Sequence, residues 1–279
     1  MIKQSDVTII IPTLSKTLES QYALKQCLKS LRETCEMRII VAYNGVEGWD
    51  GDVDADTLLM SDQGQCKAVN AAVATTNTPW IFVTNDDMIY APGWWEALLS
   101  HPYTTHDPRL DDKHLCISPQ LVEPRQGAPT FQVEFCGGAG GDFDKTKWLL
   151  YARDQMSKGG TLRSGFNLPF LISRELWDII GGYDINYDPW GSNSDSDLEY
   201  KIKLAGIQPY QNTNCVVYHF SQTSGTFEPR NDEYRFKNYA YFKEKWGFDR
   251  TDDGIWEASF EIPDEGRIFR PKWEGKYDN

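Results

Sequence analysis

Trp80-Ile81-Phe82-Val83-Thr84-Asn85-Asp86-Asp87-Met88, WIFVTNDDM, is the stretch on which the fold of this chain turns. Four apolar residues, aromatic and β-branched among them, read as a short strand buried on both faces. The strand then ends on two adjacent carboxylates, before a loop that turns at Pro92-Gly93. Like charges so close repel, and burying either one unpaired costs on the order of several kcal/mol. A cation is therefore expected at this strand end.

Two further runs of the same kind precede it, Val7 to Ile11 and Arg38 to Tyr43. The segments between them have helical spacing. Ala23, Leu24, Cys27, Leu28 and Leu31 make one apolar stripe of a helix over about Ser20 to Glu33. Cys66, Val69, Ala72 and Val73 make the inner face of another over about Cys66 to Thr75. The pattern is βαβαβ, which predicts an α/β fold with a Rossmann-like, mostly parallel sheet flanked by helices.

After Gly93, WWEALLS reads as a short helix, and HPYTTHDPRLDDK as a polar excursion broken by proline, in which His101, His106 and His114 are given no role. Shorter strand-like and helical pieces alternate from Leu115 to about Tyr218, among them SRELWDIIGG, with glycine at its C-terminal end, and SDSDLEYKIKLAG. A last helix is expected over Asn231 to Trp246. The remainder is polar but studded with Trp and Phe, which predicts that it packs back on the body.

The bulk properties exclude several functions. With 28 Lys and Arg against 41 Asp and Glu in 279 residues, the formal charge is -13. Such a surface repels phosphate backbones and anionic membranes, so free nucleic acid is not expected as a partner. No stretch reaches the roughly 18 to 20 apolar residues of a transmembrane helix, and the opening MIKQSDVTIIIPT lacks the apolar core of a signal peptide. A cytoplasmic protein is the expectation. The six cysteines form no CxxC pair and read as reduced, mostly buried thiols.

In open α/β sheets, ligands bind beyond the carboxyl ends of the strands, near the point where strand order reverses. Here those ends carry Pro12-Thr13, Tyr43-Asn44-Gly45 and Asn85-Asp86-Asp87. Neither GxGxxG nor GxxxxGK[ST] occurs, so dinucleotide and P-loop readings lose their main support. In WGSNSDSDLEYKIKLAG, a helix with Ser194 as N-cap would place Asp197 as the acidic half of a near capping box. Asp197 would pair with Lys201 and Glu199 with Lys203 at i, i+4. Asp195 instead shares the inward stripe of Leu198 and Ile202. An acid there invites a functional reading.

Taken in order, VTIIIPT, IIVAYNG, DQGQCKAVNAAVATTNTPWIFVTNDDM, IIGGYD and DSDLEYKIKLAG resemble the inverting GT-A glycosyltransferases of family 2, nucleotide-sugar enzymes with a DxD-type metal motif. The resemblance covers roughly Val7 to Ser224. It implies a GT-A domain over 1-228, with a nucleotide-sugar half at about 1-112 and an acceptor and catalytic half at 113-228, followed by a C-terminal helix and tail over 229-279.

By that resemblance Asp87 is a metal ligand, and Asn85 and Asp86 lie beside the ribose and donor sugar. His219, in NCVVYHFSQTSGTF, would bring an imidazole to the same ion, with Ser224 matching the serine of an H…S segment. The ion would be Mn2+ or Mg2+, hard enough for oxygen ligands and for a diphosphate, with imidazole tilting the choice toward Mn2+. Asp195 aligns with the general base of an ED.DL pattern, Ser194 standing where Glu is usual. Pro12, Thr13, Asn44, Asp62, Lys67 and Asn70 match donor-binding segments, Tyr43 replacing the usual acid of a DNG segment. Trp190 is the candidate acceptor platform, since aromatic faces stack on sugar rings. The implied partners are a nucleotide-diphosphate sugar and a hydroxyl-bearing acceptor, a glycan or glycoconjugate.

Structural explanations stand beside these. TNDD can be an Asx-turn that ends a strand, His219 a structural histidine, Lys67 a solvated helix residue and Trp190 a core residue. Gly137 to Gly141 reads equally as a mobile flap or a tight turn. Two other functions remain open: a nucleotidyltransferase on a related fold, and a sugar-nucleotide or glycan-binding protein without activity. The first would want a glycine-rich basic loop after the first strand, and IPTLSKTLES has no glycine. Ser194 and Tyr43 would suit the second.

Overall fold

The computed structural model describes residues 2-45, 53-59, 64-100, 115-125, 131-221, 223 and 229-247. Asp62, Ser224, the histidines of the polar excursion and the tail from residue 248 onward lie outside the described residues.

Strand β1 (Val7–Thr13) runs between β2 (Arg38–Tyr43) and β4 (Trp80–Val83), parallel to both, with Ile9 opposite Ile39 on one side and Phe82 on the other. Strand β3 (Asp56–Leu59) extends the parallel block beyond β2. Helix α1 (Leu18–Thr34) connects β1 to β2, and α2 (Gln65–Ala74) connects β3 to β4. The chain thus winds outward from β1 in one direction and returns to β1's other side, so strand order reverses between β1 and β4. Thr13 and the Asp86-Asp87 pair lie at the carboxyl ends of those two strands.

Beyond β4 the sheet continues with β9 (Phe170–Ser173), antiparallel to β4 and to β6 (Cys116–Glu123). Strand β10 (Tyr210–His219) follows in parallel to β6, and β5 (Met88–Ile89) closes the row antiparallel to β10. Two short strands branch off: β7 (Gln132–Val133) on β6 and β8 (Leu162–Ser164) on β10. Among the described residues, parallel pairings outnumber antiparallel ones five to four. The mixed α/β class with helices on both faces is the one the βαβαβ pattern predicts.

Because side chains alternate across a strand, each apolar run feeds two cores. Ile9, Ile11, Ile39, Val41, Tyr43 and Phe82 meet Leu24, Cys27, Leu28 and Leu31 of α1 and Trp94, Trp95 and Leu98 of α3 (Trp94–Leu99). Ile10, Ile40, Ala42, Ile81 and Val83 meet α2 together with α5 (Arg174–Ile180), α6 (Ser194–Leu204) and Phe242 of α7 (Asp232–Trp246). A smaller cluster lies under α4 (Lys145–Ser157) around Trp148 and Tyr218. Burial on both faces explains why these strands read as continuous apolar runs. All six cysteines are free and buried, as expected.

Local signals set the helix ends. Thr17 and Ser20 cap α1 reciprocally, each side chain accepting from the other's backbone N–H. Ser173 caps α5, and Gly181 ends it at φ 71°, a left-handed position that glycine adopts without a Cβ penalty. The expected start of α6 needs correction. Its N-cap is Asn193, left-handed at φ 71° and without a side-chain cap bond, and Ser194 is already helical. Ser194 is 1% exposed with its hydroxyl on Cys66, so it is not available for the cap. The i, i+4 partners are as expected, Lys203–Glu199 at 2.8 Å and Lys201–Asp197 at 3.9 Å. All four side chains are buried, however, so local helix stability alone does not account for them.

Candidate functional site

At the reversal of strand order, the Thr13 hydroxyl donates to Asp86 Oδ2 at 2.5 Å, joining the ends of β1 and β4 across the crevice. The next residue, Asp87, points the other way. Its Oδ2 lies 3.3 Å from His219 Nε2 and accepts from the Thr223 hydroxyl at 2.8 Å. On the far side of the imidazole, His219 Nδ1 meets Glu123 Oε1 at 2.6 Å.

The sheet builds this row of side chains. His219 pairs with Met88 in the β10–β5 ladder, and Phe220 N–H donates to the Asp87 carbonyl at 3.0 Å, so residue 87 is fixed beside 219. Tyr218 pairs with Val122 in the parallel β10–β6 ladder, which sets the carboxyl ends of both strands, His219 and Glu123, next to each other. Glu123 is fixed by its own backbone as well, its carbonyl accepting from Glu134 N–H at 3.0 Å beyond β7. A pair separated by 96 residues in sequence becomes one rigid unit.

The electrostatics are unbalanced. Asp87 and Glu123 are 5% and 3% exposed, and Asp86 adds a third carboxylate, against one imidazole. Burial and then the Asp87 charge push Asp86 up to about 7, opposed by the Thr13 hydroxyl. Burial would raise Asp87 too, but His219 and then the Thr223 hydroxyl hold it below the usual carboxylate range. For His219, burial works downward and is outweighed by Asp87 and Glu123, which push it up to about 10. Even a charged imidazole leaves excess negative charge, and Asp87 Oδ1 and Glu123 Oε2 are both buried without a hydrogen-bond partner.

A carboxylate oxygen without a partner beside an imidazole nitrogen is a donor set that suits a divalent cation taking oxygen and nitrogen ligands. Asp87 and His219 therefore fit the metal that the sequence resemblance implies. They would supply two protein ligands. No group of three or more His, Cys, Asp or Glu arranged to hold a metal occurs among the described residues.

Asp195 stands apart from this row, at the start of α6. The phenol of Tyr183 donates to Asp195 Oδ1 at 2.9 Å. Burial and then the Asp195 charge push the Tyr183 phenol well above its usual value, so it stays protonated and donates. Tyr183 is held in turn by Asn70 of α2, which accepts from Tyr183 N–H at 2.9 Å and donates to its carbonyl at 2.7 Å. The Asn70 amide is thus engaged with the support of Asp195. The first turn of α2 is also tied to the segment between α5 and α6, where Asp188 Oδ1 and Oδ2 accept from the backbone N–H groups of Cys66 and Lys67 at 2.8 and 3.1 Å. That carboxylate satisfies two of the helix's open N-terminal donors.

Helix α7 clamps the segment between Asp188 and α6. Asn238 Nδ2 donates to the carbonyls of Tyr187 and Ser192 at 2.7 and 3.0 Å. Lys245, its side chain 1% exposed, bridges Asp184 at 2.8 Å and Asp197 at 2.6 Å, while Tyr241 donates a hydrogen bond to Asp184 and Trp246 one to Asp197. Trp190 lies in this held segment, partly exposed and outside the core clusters.

The remaining sequence candidates are spread along the carboxyl edge. Pro12 and Thr13 are buried at the end of β1, and Asn44 N–H donates to the Thr13 carbonyl at 2.9 Å. Asn44 Oδ1 is buried without a partner. Tyr43 points into the core. Asn85 is partly buried, its carbonyl accepting from Thr84 Oγ1. Lys67 is partly buried on α2. The glycine cluster forms a tied turn: Gly138 N–H donates to Asp142 Oδ1 at 2.9 Å, and Tyr218 OH to the Gly137 carbonyl at 2.7 Å. A Cβ on Gly137, at φ 94°, would collide with the Asp142 carbonyl. Glu123, Tyr183, Asp188 and Thr223 were not among the sequence candidates. Glu123 carries the same signal as Asp86 and Asp87, an acid closing the apolar strand CISPQLVE.

No protein-family model matches the chain. Among curated proteins, N-acetylgalactosaminyltransferase 6 of Drosophila melanogaster is 33% identical over 79 residues, which is 28% of this chain and 12% of that protein. Among solved structures, GalNAc-T7 with UDP, GalNAc and Mn2+ superposes with a TM-score of 0.54 at 14% identity, over 86% of this chain and 48% of that one. The mannosyltransferase PcManGT of Pyrobaculum calidifontis with GDP-Man and Mn2+ gives 0.51 at 15% identity, over 86% and 64%. Residues 1-349 of S. aureus TarS give 0.51 at 12%, over 91% and 76%. The chain therefore spans about half of the first structural relative and a small part of the curated one. The shared feature is the fold, that of GT-A glycosyltransferases.

Proposed function

We propose that the chain is a metal-dependent, inverting glycosyltransferase resembling family 2, which moves a sugar from a nucleotide-diphosphate donor to an acceptor hydroxyl. The observation that carries this reading is the excess of carboxylate at the carboxyl ends of the strands, where buried Asp87 and Glu123 flank a single imidazole and partly buried Asp86 lies beside Asp87. Such a site favours a cation and, through it, an anionic ligand.

Asp87 and His219 would hold the ion, Mn2+ in preference to Mg2+, with donor oxygens and water completing its shell. When bound, the cation would neutralise the charge that grows on the departing diphosphate. Thr13 and Asp86, already joined, would line the ribose and donor sugar beside Asn85. Pro12, Asn44, Asp62, Lys67 and Asn70 complete the donor side, with Asn44 offering a buried acceptor to the nucleoside. The division at residues 112 and 228 into donor half, acceptor half and C-terminal extension belongs to the same proposal.

Asp195 would act as general base. Held by the Tyr183 phenol at one oxygen, it is oriented to take the proton of an acceptor hydroxyl as that oxygen attacks the anomeric carbon. Direct attack opposite the leaving diphosphate inverts the configuration, through an oxocarbenium-like transition state like that of glycoside hydrolysis. Trp190, presented by a segment pinned at Asp188 and Ser192, offers a face to a sugar ring, so the acceptor would be a glycan or glycoconjugate. Among the described residues no helix is long and apolar enough to cross a membrane, and a cytoplasmic location is part of the reading.

Calorimetric titration with UDP, GDP and dTDP, each with and without Mn2+, tests the donor site. One nucleotide should bind, and bind more tightly with the metal. Failure of all three to bind under either condition overturns the reading.

A further inference from the structure

Glu123 is not one of the metal ligands in the reading above, yet its 2.6 Å contact to the candidate metal-binding histidine is shorter than that of Asp87. Glu123 Oε1 lies 2.6 Å from His219 Nδ1, whereas Asp87 Oδ2 lies 3.3 Å from Nε2 on the other side. We propose that Glu123 is the positioning residue of His219: it holds the imidazole by Nδ1–H and leaves Nε2, on the Asp87 side, as the ligand atom. This rests on the assignment of Asp87 and His219 as the metal site.

The contact can be weighed against a plain counter-ion role. A charged His219 already has a carboxylate in Asp87, so neutralising it does not require a second, nearly inaccessible acid. Burying a second acid adds a desolvation cost that charge balance alone does not call for. The placement is also too constrained to be incidental. Glu123 closes β6, its neighbour Val122 is in register with Tyr218 of β10, and its carbonyl is tied to Glu134 N–H. Backbone ladders on both sides thus fix the distance between carboxylate and ring.

A neutral imidazole must carry its proton on one nitrogen and its lone pair on the other, and the partner of the protonated nitrogen decides which. With Glu123 accepting at Nδ1, the lone pair lies on Nε2. Metal-binding histidines are commonly oriented by such a carboxylate, and losing it typically lowers metal affinity by about 10- to 100-fold. The second oxygen, Oε2, is buried without a hydrogen-bond partner, so Glu123 also keeps negative potential behind the ring.

The test compares Glu123→Ala, which removes the acceptor, with Glu123→Gln, which keeps an acceptor of nearly the same shape and loses the charge. Mn2+ affinity is read from the electron paramagnetic resonance signal of free Mn2+ in the presence of UDP and, separately, of GDP. Circular dichroism confirms that each variant is folded. Glu123→Ala should weaken Mn2+ binding by about 10- to 100-fold, and Glu123→Gln should recover most of that loss. Unchanged affinity in both variants overturns the proposal and leaves the metal site standing. Equal losses in both overturn it in favour of a charge effect alone. A wild-type chain that binds no Mn2+ with either nucleotide overturns the metal site itself.

Discussion

Tyr183 and Asp195 are joined by a hydrogen bond of 2.9 Å from phenol to carboxylate, and Tyr183 is anchored at both its N–H and its carbonyl by Asn70. A residue of α2 thereby sets the position of the candidate base. The phenol stabilises the ionised carboxylate and so lowers its affinity for a proton. Tyr183→Phe keeps the ring against Trp177 and removes that donor. Asp195 must be ionised to accept a proton, so the acid limb of the kcat/KM profile should move to higher pH. Cys66 of α2 and Glu199 of α6 also feel the Asp195 charge, and the variant leaves both in place. An unmoved profile would mean that the phenol is only a packing element.

Asp195→Asn separates base from scaffold. The amide keeps the shape of the carboxylate and cannot accept the acceptor's proton. Donor and Mn2+ affinities should be retained while transfer falls by about two to four powers of ten, the range of general-base catalysis. Retained transfer would show that the proton leaves by another route.

Lys245 holds the C-terminal helix to the body through two buried carboxylates, and its loss should be felt in stability first. In the native chain burial would raise Asp184, but Lys245 outweighs it and holds the carboxyl below its usual 3.8. A depressed folded value means that this contribution is present above pH 3.8 and is lost as pH falls through the folded value. Lys245→Met removes the largest lowering cause and leaves Asp184 buried, so its folded value moves up and its stabilising contribution at neutral pH falls. Urea unfolding at pH 7 should show a loss of roughly 3 to 5 kcal/mol, the cost of breaking a buried pair. The deficit should shrink toward pH 4. A pH-independent deficit would contradict the assignment.

Much of the fold was legible because burial on both faces writes itself into sequence as uninterrupted apolar runs, as in β1, β2 and β4. Strand β3 was not legible, since Asp56 and Thr57 of its four residues are exposed. Helix α4 escaped for a related reason. It buries Trp148 and Ala152 and leaves Leu150 52% exposed, so no stripe stands out.

The site was legible where chemistry coincides with a strand end. Asp86, Asp87 and His219 announce themselves in that way, and Glu123 could have done so. Tyr183 and Asp188 could not, because their partners Asn70, Cys66 and Lys67 lie 113 to 122 residues away and only the fold brings them together. The start of α6 was misjudged for a local reason: Ser194 looks like an N-cap in sequence, but its hydroxyl is directed into the core.

The most direct measurement is hydrolysis of UDP-, GDP- and dTDP-sugars by the wild-type chain and by Asp87→Ala, with Mn2+, Mg2+ or EDTA present. One donor should be cleaved slowly by the wild type, stimulated by the metal and abolished by EDTA, and the variant should lose this release while remaining folded. Release that is indifferent to EDTA and to Asp87→Ala would contradict the assignment of the buried carboxylates as a metal site for sugar transfer.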